Sequence, residues 1–274
     1  MRTSWIVTNL ASGSTSTDVC TAIEAALADI GATLAGRTAF SEAPLPTPVD
    51  LDAAEVDTLM VFAGDGTINA AIEAVRDWPG NILILPGGTM NLLAKMLHGD
   101  ADPVAIIRAS AQTRALPYVA IGGARAFVAT IIGPAAHWHR PRELVRASRF
   151  RGIARAVRLA WRASFDRGIR VSGSDGSKGR HQAVIVTPKA DGLDVAAIDA
   201  RRWGDIARLG WDYATGDWLD APSVTHWRDR EIAVLGRRGV LALVDGEPVQ
   251  LVPPQRIGHG MSAPVFLTTL ETSA

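Results

Sequence analysis

Two stretches decide the fold, Ala-Gly-Asp-Gly-Thr at residues 63–67 and Pro-Gly-Gly-Thr-Met-Asn at residues 86–91. Each follows a short apolar run, at residues 58–62 and 82–85, that is typical of a buried strand, and each leads into a helix-like pattern. A strand, a glycine turn and a helix start leave backbone N–H groups that can face an anion, and glycine lets a phosphate approach closely. Together the two stretches predict two phosphate-binding loops along one sheet edge, which indicates a nucleotide site.

The pattern of the chain changes at about residue 115. Before it, strands alternate with helices, which predicts an α/β domain with a parallel sheet and ligands at the carboxyl ends of its strands. After it, apolar runs separated by Gly, Pro and Asp turns predict an antiparallel β domain. The proline-rich residues 44–48 are expected to interrupt regular structure.

Composition is that of an ordinary globular protein. The chain has 274 residues, 47% of them apolar, and a formal net charge of zero, so no attraction of the whole chain to nucleic acid or membrane is expected. The single cysteine, Cys20, forms no internal disulfide. No apolar run approaches the roughly 18 residues that span a bilayer, so a cytoplasmic protein is expected. Because the net charge is zero, no nucleic-acid partner is expected.

A third short stretch, Asp245-Gly246-Glu247, lies between two apolar runs, and by itself it favours a hairpin turn. It completes an ordered set with the two glycine stretches, with residues 9–13 (Asn-Leu-Ala-Ser-Gly) and with residues 191–195 (Asp-Gly-Leu-Asp-Val). This set resembles the diacylglycerol kinase and sphingosine kinase-like lipid kinases, especially their soluble bacterial members.

The resemblance implies two domains and an activity. An α/β nucleotide-binding domain with a parallel sheet is expected at residues 1–115, completed by residues 260–274. A C-terminal antiparallel β-sandwich domain that binds the lipid substrate is expected at residues 116–259, with the active site in the interdomain cleft. The implied activity is transfer of the γ-phosphate of ATP, with Mg²⁺, to a hydroxyl of diacylglycerol, a sphingoid base or a related lipid.

The resemblance also assigns roles to individual residues. The implied catalytic residues are Asp65, Glu247 and Asp245, and the implied magnesium ligands are Asp65 and Asp245. As the general base, Asp65 ranks before Glu247. A carboxylate suits both roles, because it can bind magnesium and can accept a hydroxyl proton. For Asn91, helix capping and ligand contact are both left open. The implied nucleotide-binding residues are Asn9, Ser12, Gly13, Thr38, Gly64, Gly66, Thr67, Asn69, Gly87, Gly88, Thr89 and Asn91.

An arginine-rich segment lies in the middle of the chain. Residues 137–170 contain ten arginines against only Glu143 and Asp166, with apolar residues interspersed. The pattern fits a solvated helix face, and it fits equally a basic amphipathic surface, at residues 140–170, that contacts anionic lipid headgroups. On the second interpretation the protein meets its lipid substrate at the surface of the inner membrane. A homodimer is one option that the sequence leaves open.

Two departures from the family pattern keep other functions in view. Ala70 stands where the family usually has a glutamate, and Leu92 stands where it usually has an aspartate. These apolar residues motivate a non-catalytic protein that binds nucleotide or lipid. An enzyme similar to NAD kinase is a further alternative, which residues 86–91 and the Asp-Gly-Glu stretch disfavour.

Overall fold

The computed structural model describes residues 1–9, 16–133, 168–173, 180–199 and 223–270. The chain divides into two compact units, which are Met1–Leu116 with Met261–Ala274, and Pro117–Gly260. The domain boundaries expected from the sequence fall one residue before these. The arginine-rich segment lies outside the described residues, except for residues 168–170 at its end.

The first unit alternates strands and helices, as the sequence predicts. Its elements are β1 (Thr3–Thr8), α1 (Thr17–Asp29), β2 (Thr33–Ala39), α2 (Pro48–Ala53), β3 (Thr58–Ala63), α3 (Asp65–Ala74), β4 (Asn81–Pro86), α4 (Leu92–His98) and α5 (Pro103–Arg108). The strands are ordered β2-β1-β3-β4, and every neighbouring pair is parallel. The predicted parallel α/β domain is therefore confirmed.

Burial explains why these segments form a parallel sheet. All six residues of β3 and the four apolar residues of β4 are buried, as expected of strands that helices cover on both faces. On one face, Met60, Phe62 and Leu85 pack with Ile23 of α1 and Ile106 of α5. This core fixes the carboxyl ends of β3 and β4, where the two glycine stretches begin.

The second unit is built from antiparallel strands. The elements after α5 are β5 (Gln112–Ile121), β6 (Ala124–Ala126), β7 (Thr130–Ile132), β8 (Arg170–Ser172), β9 (Ala183–Lys189), β10 (Gly192–Ile198), β11 (Val224–Asp229), β12 (Glu231–Leu235), β13 (Val240–Val244), β14 (Glu247–Leu251) and β15 (Gln255–Thr268). Six of them form a sheet in the order β11-β10-β9-β7-β13-β14, and all of its pairs are antiparallel. Strand β12 pairs antiparallel with both β8 and β15.

One hydrophobic core joins the two layers of the second unit. It includes Val195 and Ala242 from the six-stranded sheet, and Val171, Ile232 and Ile257 from β8, β12 and β15. The predicted antiparallel β-sandwich is therefore confirmed. In the described parts of the chain, no helix is both long and apolar enough to cross a membrane.

The unit boundaries fall within β5 and within β15. The last part of β15 belongs to the first unit, where Val265 and Phe266 pair in parallel with Asn81 and Ile82 of β4. The C-terminal strand thus extends the sheet of the first unit beside β4.

Candidate active site

The two glycine loops, residues 63–67 and 86–91, contact each other at the ends of neighbouring strands. The Gly87 N–H donates to the carbonyl of Ala63, with an N–O distance of 3.2 Å. A Cβ atom placed on Gly88 would lie 2.7 Å from the Cα of Gly64, a separation that real Cβ atoms do not tolerate. Glycine at position 88 is therefore required by the packing of one loop on the other, a reason that the sequence did not reveal.

Asn91 closes the second loop on itself. Its Oδ1 accepts the Gly88 N–H at 2.7 Å, and its Nδ2 donates to the Gly88 carbonyl at 3.0 Å. The residue adopts a left-handed conformation with φ of 52°, which asparagine tolerates better than most side chains. Its side chain makes no capping hydrogen bond to α4. Asn91 thus shapes the loop and its side chain does not cap α4, whereas its contact with a ligand stays a prediction.

Asp65 links the two loops through both oxygens of its carboxylate. It is the first residue of α3, yet its Oδ2 accepts the Asn91 N–H at 3.0 Å and its Oδ1 accepts the Leu92 N–H at 2.8 Å. These two N–H groups belong to the N-terminus of α4, where a carboxylate is favourable because it satisfies donors that the helix leaves unpaired. Asp65 therefore holds the start of one helix against the start of the next.

Other predicted nucleotide-binding residues lie just beyond β1, in β2 and on α3 of the first unit. Asn9, just beyond β1, donates from Nδ2 to the Oγ1 of Thr67 at 2.9 Å, and Thr67 is buried in the first turn of α3. Thr38 is buried within β2, where its Oγ1 accepts the indole N–H of Trp5 at 3.0 Å. Asn69 is half-buried on α3. Thr38 thus has a structural role in the sheet.

Two of the predicted residues, Ser12 and Gly13, lie outside the described residues. Gly66, Thr89 and Met90 are exposed, whereas Gly87 and Gly88 are buried. The surface that the loops offer to a ligand is therefore formed by the start of α3 and by residues 89–90.

Helix α4 is also anchored at its C-terminal end. The Leu97 carbonyl accepts hydrogen bonds from the backbone N–H of Thr269 and, at 2.7 Å, from the Oγ1 of Thr268. His98 is buried, with its Nδ1 3.1 Å from the Oγ1 of Thr269, and burial lowers the pKa of His98 to about 4. The imidazole is therefore neutral at physiological pH. With Asp65 at one end and the C-terminal strand at the other, α4 holds residues 86–91 in a fixed position.

The Asp-Gly-Glu stretch forms a hairpin turn in the second unit. Asp245 and Gly246 connect β13 to β14, with φ values of 46° and 89°, and positive φ at both residues is typical of a tight two-residue hairpin. The hairpin interpretation of the isolated stretch is thus correct. Glu247 is the first residue of β14 and is exposed.

Asp245 does more than form the turn. It is 3% exposed, and its carboxylate accepts three backbone N–H groups, those of Phe127 at 2.7 Å and of Val128 and Ala129 at 2.9 Å. The segment before β7 is therefore fixed by this side chain. By contrast, the Glu247 side chain has no hydrogen-bond or ion-pair partner within the part of the chain that the structure describes.

Residues 4–120 match the model of the diacylglycerol kinase catalytic domain family. This part of the chain is similar to that family's catalytic domain. The matched range contains β1 except Thr3, strands β2 to β4, both glycine loops and Asp65, and it ends within β5.

Comparisons with individual proteins agree with the family. A protein of Streptococcus pneumoniae serotype 4 named "Putative lipid kinase" is 42% identical over 50 residues, which make up 18% of this chain and 17% of that protein. Two solved structures from Bacillus anthracis, described as a diacylglycerol kinase and a putative diacylglycerol kinase, have TM-scores of 0.66 and 0.69. They are 15% and 16% identical to this chain, covering 97% of it and 97% and 95% of their own chains. These structures share the two-domain fold.

The carboxylates of the catalytic domain and the β-sandwich differ in their fit to magnesium. Each Asp65 oxygen accepts one N–H group, which leaves a lone pair on each for a cation. Asp245 already accepts three N–H groups, and its role as a magnesium ligand stays a prediction. The described residues contain no group of three or more His, Cys, Asp or Glu that could hold a metal. Asp65 fits magnesium in the way that Mg²⁺ usually binds in kinases, through one or two carboxylates and the phosphates of the substrate.

Replacing Asp245 with asparagine is expected to lower the free energy of unfolding by about 1–3 kcal/mol, because the amide leaves a buried N–H group without an acceptor. Chemical denaturation monitored by circular dichroism measures this change. The matched control is Asp191→Asn in the β9–β10 turn, whose carboxylate is 69% exposed and lies 3.6 Å from Arg228. A control that is as destabilised as the Asp245 variant would contradict the anchoring role.

Replacing Gly88 with alanine is expected to destabilise the catalytic domain by about 1–3 kcal/mol through overpacking against Gly64. Because the loops must separate, nucleotide affinity should also fall at least tenfold, about 1.4 kcal/mol. Calorimetry and thermal melting measure the two effects. Gly258→Ala is the control, since a Cβ there meets nothing within 4 Å; equal behaviour of the two variants would count against the loop contact.

Proposed function

We propose that the chain is an ATP-dependent lipid kinase, which transfers the γ-phosphate of ATP to a hydroxyl of diacylglycerol, a sphingoid base or a related lipid. The observation that carries this proposal is the position of Asp65. Its carboxylate joins the two glycine loops of a diacylglycerol kinase catalytic domain, at the carboxyl ends of β3 and β4. Ligands of open parallel sheets bind at this edge.

Phosphoryl transfer requires positioning and charge stabilisation more than covalent chemistry by the protein. The acceptor hydroxyl oxygen forms a bond to the γ-phosphorus, the bond from that phosphorus to the bridging oxygen breaks, and ADP leaves. The hydroxyl proton passes to a carboxylate. We assign this proton to Glu247, because its carboxylate is exposed and unpartnered among the described residues, whereas the lone pairs that remain on the Asp65 oxygens are assigned to magnesium in this proposal.

Asp65 has a different role in this proposal. It positions the two loops, and a magnesium ion bound beside it would neutralise phosphate charge during the transfer. The exposed residues Gly66, Thr89 and Met90 form the surface next to the phosphates. Thr89 can donate its hydroxyl to a phosphate oxygen.

A non-catalytic nucleotide-binding protein is the second candidate, and one observation favours it. The N–H groups of Gly88, Asn91 and Leu92, which could have faced a phosphate, donate to Asn91 and Asp65 instead. Ala70 and Leu92 also provide no polar group beside the loops. A protein of this kind binds ATP and turns none of it over.

One assay distinguishes the candidates. Purified protein is incubated with γ-labelled ATP, Mg²⁺ and a panel that contains diacylglycerol in mixed micelles, sphingosine and NAD. The lipid kinase proposal predicts label in an organic-extractable product that depends on one of the lipids. Label in NADP would identify an NAD kinase, and ATP binding without transfer to any acceptor would identify a binding protein.

A further inference from the structure

Two neighbouring loops form one end of the second unit. Residues 236–239 connect β12 to β13, and residues 252–254 connect β14 to β15, so both loops cross between the two layers of the sandwich. They start and end at paired strands, since Val234 pairs with Gln255 and Val240 pairs with Leu251. A Cβ atom on Gly236 would lie 3.9 Å from the Cβ of Pro253. The loops therefore run side by side, and we call residues 235–239 and 252–254 the double loop.

The double loop exposes apolar side chains. Val252 is 74% exposed and Leu235 is 42% exposed, and they belong to adjoining loops. Pro254 is exposed beside them. An isolated exposed aliphatic residue is ordinary, but neighbouring ones form a patch whose removal from water is favourable.

The same surface is positively charged. Arg237 and Arg238 are exposed within the double loop, and Arg170 of β8 pairs directly with Leu235 across the strands. None of these three arginines has an ion-pair partner among the described residues. Elsewhere arginines of this chain do pair, for example Arg108 with Asp29 at 2.6 Å. Residues 170–172, 233–240 and 249–256 contain four arginines and no acidic residue.

We propose that the double loop docks on an anionic membrane surface. The three arginines of this surface bind lipid phosphates, and Val252 and Leu235 enter the boundary between headgroups and acyl chains. This combination favours a membrane over nucleic acid, because the phosphate backbone of nucleic acid offers nothing for projecting aliphatic side chains to enter. The inference does not depend on the kinase proposal, since no residue of the glycine loops takes part in it.

The first test measures binding to vesicles of phosphatidylcholine with and without phosphatidylglycerol, by co-sedimentation of the full chain. Wild type is expected to bind the anionic vesicles and to release from them as salt is raised. The variant Arg237→Glu/Arg238→Glu should bind at least tenfold more weakly, because each basic residue near such a surface contributes about fivefold. The control Arg37→Glu/Arg76→Glu makes the same change in net charge on exposed arginines of the first unit.

The second test isolates the apolar contribution. Val252→Ser is expected to weaken vesicle binding at least threefold at the highest salt at which wild type still binds measurably, where the arginine contribution is most screened. Val49→Ser is the matched control, because Val49 is also 74% exposed but lies on α2 of the first unit. Both changes are at the surface, so melting temperatures should remain close to wild type.

Several results would overturn the proposal. It fails if wild type does not bind anionic vesicles, or if each double-loop variant binds as its control does. It fails also if duplex DNA binds as tightly as the vesicles and loses affinity in both double-loop variants, or if wild type is a dimer that these variants dissociate. Binding that is lost only in Arg151→Glu/Arg155→Glu/Arg158→Glu would assign the membrane contact to the arginine-rich segment instead.

Discussion

Replacing Glu247 with glutamine is expected to lower kcat for phosphoryl transfer by about two to four powers of ten, the usual contribution of a general base. The melting temperature should change little. Glutamine keeps the size and polarity of the side chain but does not accept the hydroxyl proton. Because Glu247 is exposed and unpartnered among the described residues, the change removes no contact that stabilises the fold.

The matched control is Glu231→Gln. Glu231 is also an exposed glutamate and the first residue of an antiparallel strand, β12, and among the described residues it forms a 3.6 Å ion pair with Arg256. Steady-state transfer of labelled phosphate to the lipid measures both variants. If the Glu247 variant retains kcat within a few-fold of wild type, Glu247 is not the base.

Replacing Asp65 with asparagine is expected to affect both turnover and stability. The amide nitrogen would face an N–H group of Asn91 or Leu92, which costs about 1–3 kcal/mol of the free energy of unfolding. Loss of the negative charge beside the phosphates and of the fixed loop geometry should lower kcat by at least about a hundredfold, since small misplacements of reacting groups are costly. Transfer at saturating ATP and thermal melting measure the two effects.

Asp102→Asn is a suitable comparison for Asp65→Asn. Asp102 also accepts two backbone N–H groups at a helix start, those of Val104 and Ala105 at 3.0 Å, but it caps α5. Asparagine is nearly as good an N-cap as aspartate, so this variant should keep both stability and turnover. An Asp65 variant that also keeps turnover within a few-fold at saturating ATP would show that the carboxylate serves the loops alone.

The fold class could be predicted because its signals are local. The apolar runs that became β3 and β4, each followed by glycine and a helix pattern, indicated buried parallel strands. The proline-rich residues 44–48 interrupt regular structure as predicted, at residues 44–47, but the helix that begins at Pro48 was not predicted from the sequence. Thr47 and Asp50 form a capping box, and Pro48 is the first residue of α2, a position where proline favours a helix because its missing N–H would have no partner there.

The interactions that build the site could not be predicted, because they join residues far apart in the chain. Asp65 binds the N–H group of Leu92, and Asp245 binds that of Phe127, across separations of 27 and 118 residues. A local sequence pattern does not show which distant residues come into contact. The same holds for Gly88: its phosphate contact stays a prediction, and its packing against Gly64 could not be inferred from the sequence. Residue types identified the stretches, and only the packing of the strands revealed what each side chain touches.

The most direct test of the lipid kinase proposal compares two labels in ATP. Wild-type protein is given Mg²⁺, the lipid panel and ATP that is labelled in either its γ- or its α-phosphate, and the lipids are extracted and counted. A lipid kinase transfers the γ-label to a lipid in proportion to the ADP formed, and transfers none of the α-label. Absence of γ-label from every lipid, in protein that binds ATP and is folded, would contradict the proposal.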